Sequence, residues 1–288
     1  MKILKYFIES IFIYTFFLII KIIGLKQSRK IFSLLFRVIG PLIRSKKIIK
    51  ENLKIAFPNI EKKDQDIIIK KMWSNYAMTF VEYIFLKRFN KESYHINIKN
   101  EKILDEILKK DKPVIFISGH FANFELMSME IVKKGIKLST IYRPLNNLFL
   151  NPFMEYFRRK YVCKNQIKKG VAGIRHTFNF LKQNYSVALM VDQRVSEGEK
   201  VSFFKKKALT TTLPAQLSIK FKCDIIPVCI TRQDDGNFLL EFFEKLEINK
   251  EDKSEKNILE ITEKLNSIIE KMIINNPGDW IWTHNRWK

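Results

Sequence analysis

The chain has 288 residues, of which 46% are hydrophobic, enough to bury one sizeable core. Its 52 Lys and Arg residues outnumber 30 Asp and Glu, and the formal net charge of +22 suits an anionic partner, whether lipid headgroups, nucleic acid or an acidic protein. The three cysteines, Cys163, Cys223 and Cys229, lack the paired spacing of a zinc site or a disulfide framework, which indicates a reducing compartment.

The first apolar stretch, from Leu4 to Leu25, is long enough to cross a bilayer as one helix, which takes about 20 residues. Lys5, Glu9 and Lys21 interrupt it, so crossing the bilayer and lying in its interface both remain open. A secretory signal also begins with basic residues before an apolar run. Because no small-x-small cleavage site follows, we expect the segment to be retained.

A second apolar stretch, Ile31 to Ile43, can dip into the same leaflet. Basic residues are more frequent after the first stretch than before it, so a spanning helix would leave the rest of the chain in the cytoplasm. The alternative is that both stretches are core helices of a soluble protein. We favour the membrane, because so many large apolar residues near a terminus are hard to cover.

Further along, apolar runs alternate with segments of helical spacing. The predicted strands are residues 112–118, 136–142, 186–192 and 224–232, and an Asp-Gly turn leads into an antiparallel strand at residues 238–248. The predicted helices are residues 121–135, 147–161, 171–184, 213–222 and about 253–274. This alternation predicts an α/β fold with a mixed, mostly parallel sheet flanked by helices.

The segment Gly119–Glu125, with the sequence GHFANFE, directly follows the predicted strand at residues 112–118. Ligand sites in open α/β sheets lie at the carboxyl ends of strands. Residues five apart on one helix point about 140° away from each other, so His120 and Glu125 meet only if His120 ends the strand and Glu125 lies in the next helix's first turn. We expect the carboxylate then to hold one imidazole nitrogen and leave the other free to take a proton from a hydroxyl.

A structural role for this histidine is the alternative reading, since a buried histidine near an acid is often only a packing residue. Metal chemistry of the zincin type does not fit, because no second histidine stands four residues on. A covalent serine route does not fit either, because the chain has no Gly-x-Ser-x-Gly elbow. Direct transfer by a general base is the chemistry that is left.

The spacing of His120 and Glu125 resembles the H-x4-D/E motif of the glycerolipid acyltransferase superfamily, in the branch of the lipid A biosynthesis lauroyl and myristoyl acyltransferases. Five further segments resemble motifs of that branch in the same order. They are Ile141–Asn147, the basic pair in Phe157–Lys160, Val191–Gln193, Val201–Thr212 and the segment WIWTHNRW at residues 280–287. The chain departs from the pattern at Lys205, where Gly is usual, and at Pro277–Asp279, where Pro-Glu-Gln is usual.

The resemblance implies O-acyl transfer from an acyl carrier protein thioester to a hydroxyl of a phosphorylated glycolipid of the lipid IVA type. It implies a catalytic body, residues 46–288, on the cytoplasmic side of the bacterial inner membrane, preceded by a membrane-anchoring segment, residues 1–45. No metal and no other cofactor is implied. Acyl carrier proteins are acidic, so a basic surface is expected to speed their encounter with this enzyme.

The site residues implied by the resemblance are the base His120, its orienting carboxylate Glu125, and Arg143 and Arg158 as substrate-binding residues. Planar guanidinium groups pair well with phosphate.

Asp192 and Gln193 are two further substrate-binding residues implied by the resemblance. Asp192 would orient an arginine or a sugar hydroxyl, although capping of the next turn is also open. Trp280, Trp282 and Trp287 are expected either in an interfacial belt or in the core.

Two other functions compete with this one. A related membrane acyltransferase would acylate glycerophosphate or a mannosylated phospholipid instead. A non-enzymatic basic protein that coats membranes or binds nucleic acid would account for the charge of +22. That reading leaves the strand ending at Gly119-His120 unexplained, and since no nucleic-acid motif appears, we expect no nucleic-acid partner.

Overall fold

The computed structural model describes residues 2–43 and 46–288. Within these ranges, a helical region precedes the first strand. Its helices are α1 (Lys2–Ile23), α2 (Leu25–Ile43), α3 (Lys46–Ala56), α4 (Lys62–Glu82) and α5 (Leu86–Lys91), with a 3-10 turn at Tyr83–Phe85. The predicted boundary between residues 1–45 and 46–288 follows residue 45, and residues 44 and 45 lie outside the described residues.

The remaining elements alternate between strand and helix. The strands are β1 (Ile96–Lys99), β2 (Val114–Ser118), β3 (Leu138–Tyr142), β4 (Asn165–Lys168), β5 (Ser186–Met190), β6 (Glu199–Phe203), β7 (Lys206–Thr210), β8 (Asp224–Arg232) and β9 (Phe238–Phe242). The helices are α6 (Lys102–Lys110), α7 (Glu125–Lys133), α8 (Asn151–Phe157), α9 (Val171–Lys182), α10 (Leu213–Phe221) and α11 (Glu255–Asn275), and a π-helical turn at Arg158–Val162 extends α8.

Seven of these strands form one sheet in the order β1-β9-β8-β2-β5-β3-β4. Neighbouring strands are parallel except β8 and β9, which are antiparallel. The mixed, mostly parallel sheet predicted from the sequence is therefore confirmed. The central strand β2 is buried at every residue, as expected for a parallel strand covered on both faces.

Four strands were not predicted. Strands β1 and β4 have only four residues each and lie at the two edges of the sheet. Strands β6 and β7 form a separate hairpin that begins at Glu199 and overlaps the motif segment Val201–Thr212, for which no strand was predicted. Its turn residues Phe204 and Lys205 both have positive φ, at 50° and 60°. Two-residue turns of this kind favour Asn-Gly, so the sequence carries no ordinary hairpin signal there.

Helix α1 is apolar and long enough to cross a membrane, and most of its large side chains are exposed. The side facing the protein buries Phe17 and Ile20 in a small cluster with Phe32 of α2 and Val81 of α4. Helix α2 also exposes an apolar stripe, whose residues follow helical spacing. They are Ile31, Leu34, Leu35, Val38 and Leu42. This exposed surface is consistent with membrane association and does not fit the alternative of two core helices.

The main core surrounds the central strands, on which α7, α9 and α10 pack. Trp280 and Trp282 are buried in it, and Trp287 stacks on Phe203. The tryptophans of the final motif are therefore core residues rather than an interfacial belt. The three cysteines are also buried and unpaired.

Candidate active site

The register of the central strands brings His120 and Asp192 together. Strands β2 and β5 are parallel neighbours in which Ser118 lies opposite Met190. Because His120 and Asp192 each stand two residues beyond these positions, they meet at the carboxyl edge of the sheet, where α/β proteins bind ligands. The two side chains are 2.8 Å apart, measured from His120 Nδ1 to Asp192 Oδ1.

Asp192 is 2% exposed, and both of its oxygens are hydrogen-bonded. Oδ1 bonds to the His120 ring, while Oδ2 accepts from the His120 backbone N–H at 3.0 Å and from Trp280 Nε1 at 2.8 Å. Burial raises the pKa of the Asp192 carboxyl, but the charge and hydrogen bonds of His120 and the bond from Trp280 outweigh it and lower the pKa to about 2. Asp192 is thus ionised at neutral pH.

An ionised carboxylate can only accept a hydrogen bond, so the neutral His120 ring must carry its proton on Nδ1. Nε2 then has a free lone pair that can take a proton, and the buried carboxylate can stabilise the imidazolium that forms. The His120 side chain is 22% exposed and lines a cavity. This arrangement can serve a general base.

Several contacts fix the loop that carries His120. A side chain at Gly119 would meet the Phe121 ring at 2.7 Å and the Asp192 Cβ at 3.3 Å, so only glycine fits. Ala122 has a φ of 39°, and its backbone N–H and C=O are both bonded, to the Asp279 carbonyl at 3.1 Å and to the Thr79 hydroxyl at 3.0 Å. Asp279, one of the departures from the family pattern, therefore helps to hold this loop.

A second tie to the loop runs through Glu82, which is fully buried at the end of α4. Its carboxylate accepts from Arg29 Nε at 2.6 Å, from Arg232 Nη1, from Arg232 Nη2 at 3.1 Å, and from Asn123 Nδ2 at 2.9 Å. Asn123 lies three residues after His120. The cluster thus joins α2 and the carboxyl end of β8 to the loop that carries the histidine.

Glu125 does not contact the imidazole. It is the first residue of α7, and its Oε1 accepts from Arg158 Nε at 2.7 Å and Nη2 at 2.5 Å. Burial lowers the pKa of Arg158, but the charge of Glu125 outweighs it and the net pKa is raised. The predicted contact between Glu125 and His120 is wrong, because Asp192 occupies the Nδ1 side of the ring. Whether Glu125 acts in catalysis stays a prediction.

The other predicted site residues divide into two groups. Arg143 and Gln193 line the same cavity as His120, Glu125 and Arg158, so the structure brings these residues together.

Asp192 lies behind His120 with its oxygens occupied, so the predicted substrate contact of this residue is replaced by a contact to the imidazole. Its role, like that of the others, stays a prediction.

The cavity has a volume of about 250 Å³. Beyond the polar mouth its walls include residues that are buried in the fold, so it penetrates the domain. They are Met127 and Ser128 of α7, Thr140 of β3, Val162 of the π-helical turn and Ala188 of β5. His284 of the final motif lines the mouth, and burial lowers its pKa to about 4, which keeps the ring neutral at pH 7.

Four residues near the site were missed at the sequence level: Trp280 as a partner of Asp192, and Glu82, Asn123 and Arg232 as supports of the loop. Asn123 and Trp280 stand inside segments that the sequence had singled out. Arg232 is the last residue of a predicted strand, and Glu82 lies where no element was predicted. Nothing in the local sequence of either residue marks it as part of the site.

The structure thus combines a mostly parallel α/β sheet with a His–Asp pair at the mouth of a partly apolar cavity, an arrangement that can serve an enzyme using base catalysis. The chain matches the family of bacterial lipid A biosynthesis acyltransferases over residues 1–288, and it belongs to that family. It is 21% identical to lipid A biosynthesis acyltransferase 2 of Shigella flexneri over 236 residues, which cover 80% of this chain and 74% of the relative. The protein is thus an acyltransferase of lipid A biosynthesis, and the non-enzymatic alternative is wrong.

Proposed function

We propose that this enzyme moves an acyl chain from an acyl carrier protein thioester to a hydroxyl of a phosphorylated glycolipid of the lipid IVA type, with His120 as general base. The reaction is proposed to take place on the cytoplasmic side of the bacterial inner membrane. The observation that carries the proposal is the 2.8 Å contact between His120 Nδ1 and the ionised Asp192 at the mouth of the cavity.

In this mechanism His120 Nε2 takes the proton of the acceptor hydroxyl while its oxygen attacks the thioester carbonyl carbon. The tetrahedral intermediate breaks its C–S bond, and the imidazolium returns the proton to the leaving thiolate. Asp192 stays ionised throughout and stabilises the imidazolium. A positioned base of this kind accelerates a reaction by about 10²–10⁴-fold.

Glu125 contributes to catalysis through Arg158 in this proposal. The pair forms one wall of the cavity beside His120, and its two short bonds hold the guanidinium in a fixed orientation. Arg143 has no such partner among residues 2–43 and 46–288 and is exposed at the mouth. It is therefore better placed than Arg158 to meet a phosphate, and Gln193 is available to a sugar hydroxyl.

The proposed donor fits two properties of the protein. A net charge of +22 attracts the acidic carrier, and the buried end of the cavity offers apolar surface to an acyl chain. The exposed apolar surfaces of α1 and α2 are consistent with a lipid acceptor that stays in the membrane. The positive charges after α1 support a cytoplasmic location for the body.

The experiment is mass spectrometry of lipid A from an acyltransferase-deficient bacterial host that expresses this chain. One added acyl chain is expected, and its mass gives the chain length. The His120→Ala variant, expressed to the same level, is the control and should add none. Unchanged lipid A together with acylated glycerophospholipid or mannolipid would reject the proposed acceptor.

The donor is tested separately with purified enzyme. Acyl carrier protein thioesters should outperform coenzyme A thioesters, and the advantage should shrink as salt rises from low to about 0.5 M, because salt screens the attraction. Equal rates with both donors at every salt concentration would remove carrier recognition from the proposal.

A further inference from the structure

A second groove opens from the mouth of the His120 cavity and has a volume of about 820 Å³. Arg143, Lys169, Arg194 and His284 line both spaces, so the groove and the cavity are continuous. A molecule seated in the groove can reach His120 without leaving the protein. The volume lies in the range of sites that enclose small molecules rather than protein partners.

The walls of the groove are strongly positive. Arg143, Lys169, Arg194 and Lys288 line it, against the single acidic side chain of Glu197. Within the described part of the chain no Asp or Glu side chain pairs with Arg143, Lys169 or Arg194. The Arg194 guanidinium donates to the Lys288 backbone oxygen at 3.1 Å and to the Ser196 hydroxyl at 3.5 Å. Cations that converge on one space without an Asp or Glu partner favour an anionic ligand.

The first turn of α9 adds to this positive wall. Gly170 and Val171 lie at the amino end of the 12-residue helix and line the groove. The backbone N–H groups of a first helical turn and the helix dipole favour an anion.

One rim of the groove is next to the membrane-facing part of the protein. The chain leaves the groove at Pro144 and continues into a loop that exposes Leu145 and Leu148. The same loop contacts α1, since Asn147 Nδ2 donates to the Tyr6 carbonyl at 2.9 Å and the Tyr14 hydroxyl donates to the Phe149 carbonyl at 2.7 Å. A ligand of this groove can therefore keep apolar chains in the lipid while its head lies among the cations.

From these features we infer that the groove is the headgroup subsite of the lipid acceptor, and that Lys169 and Arg194, together with Arg143, bind its phosphate. The inference rests on the proposed function, because it takes His120 as the base that the acceptor hydroxyl must reach. It moves phosphate binding away from Arg158, whose charge Glu125 already balances, and adds Lys169 and Arg194, which the motifs did not indicate. The carrier's prosthetic arm also contains a phosphate, and the experiment separates these two sources.

The test compares wild type with the Lys169→Gln/Arg194→Gln double variant as full-length protein in detergent. Rates are measured with a phosphorylated glycolipid acceptor and with the same glycolipid after phosphatase treatment. The double variant should raise KM for the phosphorylated acceptor about 10- to 100-fold, because two charge-assisted hydrogen bonds are lost, and change kcat less than about threefold. With the dephosphorylated acceptor the two enzymes should have the same KM.

The matched control is Lys206→Gln/Lys207→Gln, which removes two exposed positive charges from β7, outside the groove. It should leave KM for both acceptors unchanged. A rise in KM for the acyl donor instead of the acceptor would assign the groove to the carrier's phosphate and overturn the inference. An equal rise for both acceptor forms, or none, would also overturn it.

Binding without turnover distinguishes failure of the inference from failure of the proposed function. Calorimetry with glycolipid micelles and no donor should give weaker binding by the double variant than by wild type, only when the phosphate is present. If wild type binds the glycolipid in this way but never acylates it, the proposed function is wrong, and the groove binds the phosphorylated headgroup without being an acceptor subsite. If wild type acylates the glycolipid and binding is the same in both enzymes, the groove assignment is wrong.

Discussion

The sharpest test of the proposed mechanism is the substitution Asp192→Asn, which keeps the shape of the side chain and removes its charge. Burial raises the pKa of Asp192, yet the interaction with His120 lowers it from 3.8 to about 2. The net shift, to which the bond from Trp280 also contributes, corresponds to roughly 2–3 kcal/mol in favour of the ionised carboxylate. If that stabilisation is lost when the imidazolium forms, the rate falls close to 10²-fold.

A second effect adds to this loss. The Asn amide can donate to Nδ1, which would move the ring proton to Nε2 and block it as a base; a change of this type costs about 10⁴-fold in serine proteases. We therefore expect kcat for Asp192→Asn to fall between about 10²- and 10⁴-fold, with a melting temperature close to that of wild type. Trp280 Nε1 and the His120 backbone N–H can still donate to the amide oxygen.

The assay is steady-state acyl transfer with both substrates saturating, and thermal unfolding on the same samples. His120→Ala should be as severe, and the double variant should be little worse than either single one, because the two residues act as a unit. Glu125→Gln should add to Asp192→Asn nearly independently, since Glu125 contacts Arg158 and not the imidazole. Retention of more than about a tenth of wild-type kcat by Asp192→Asn, or a loss that only follows the unfolded fraction, would refute this reasoning.

Other outcomes follow from the supports of the site and the membrane surface. The Asn123 amide ties the catalytic loop to α4, so Asn123→Ala should lower kcat about tenfold with KM unchanged in steady-state kinetics, whereas a rise in KM alone would contradict a positioning role. Deletion of residues 1–23 should leave part of the protein bound to vesicles in high salt, since α2 has its own apolar stripe. The further changes Leu34→Gln and Val38→Gln should release this remaining fraction. Complete release by the deletion alone would make α1 the sole anchor. Burial lowers the pKa of His95 from 6.5 to about 4, so between these pH values the unfolded state binds more protons than the folded state, and the free energy of unfolding should decline as pH falls. In urea unfolding, His95→Leu should flatten that decline. An unaltered dependence of the free energy of unfolding on pH would count against this role of His95.

Much of the fold could be predicted from local sequence. Strand β8 was predicted at its observed bounds, and β2, β3 and β5 within two residues at each end, because continuous apolar runs bounded by turn residues are typical of buried parallel strands. The edge strands β1 and β4 were missed since four residues are too short to show a period. The hairpin of β6 and β7 was missed because its Phe-Lys turn lacks the residues that such turns usually require.

The candidate site was predicted only in part, because its contacts join residues that are far apart in the sequence. The sequence places His120 at the end of a strand, and Glu125 was paired with it because the two are near each other along the chain. The true partner, Asp192, is 72 residues away, and it meets His120 only because β5 inserts beside β2. The tie between Asn123 and Glu82 likewise spans 41 residues.

The sequence by itself therefore determined the alternation of strands and helices, the apolar amino-terminal helix and the family, because these depend on side-chain period, composition and motif order. Only the tertiary structure decided which carboxylate holds the imidazole, which arginine is already paired, and which cations remain available to a substrate. Those outcomes depend on strand order and register, and on the requirement that buried charges find partners wherever the fold brings them together.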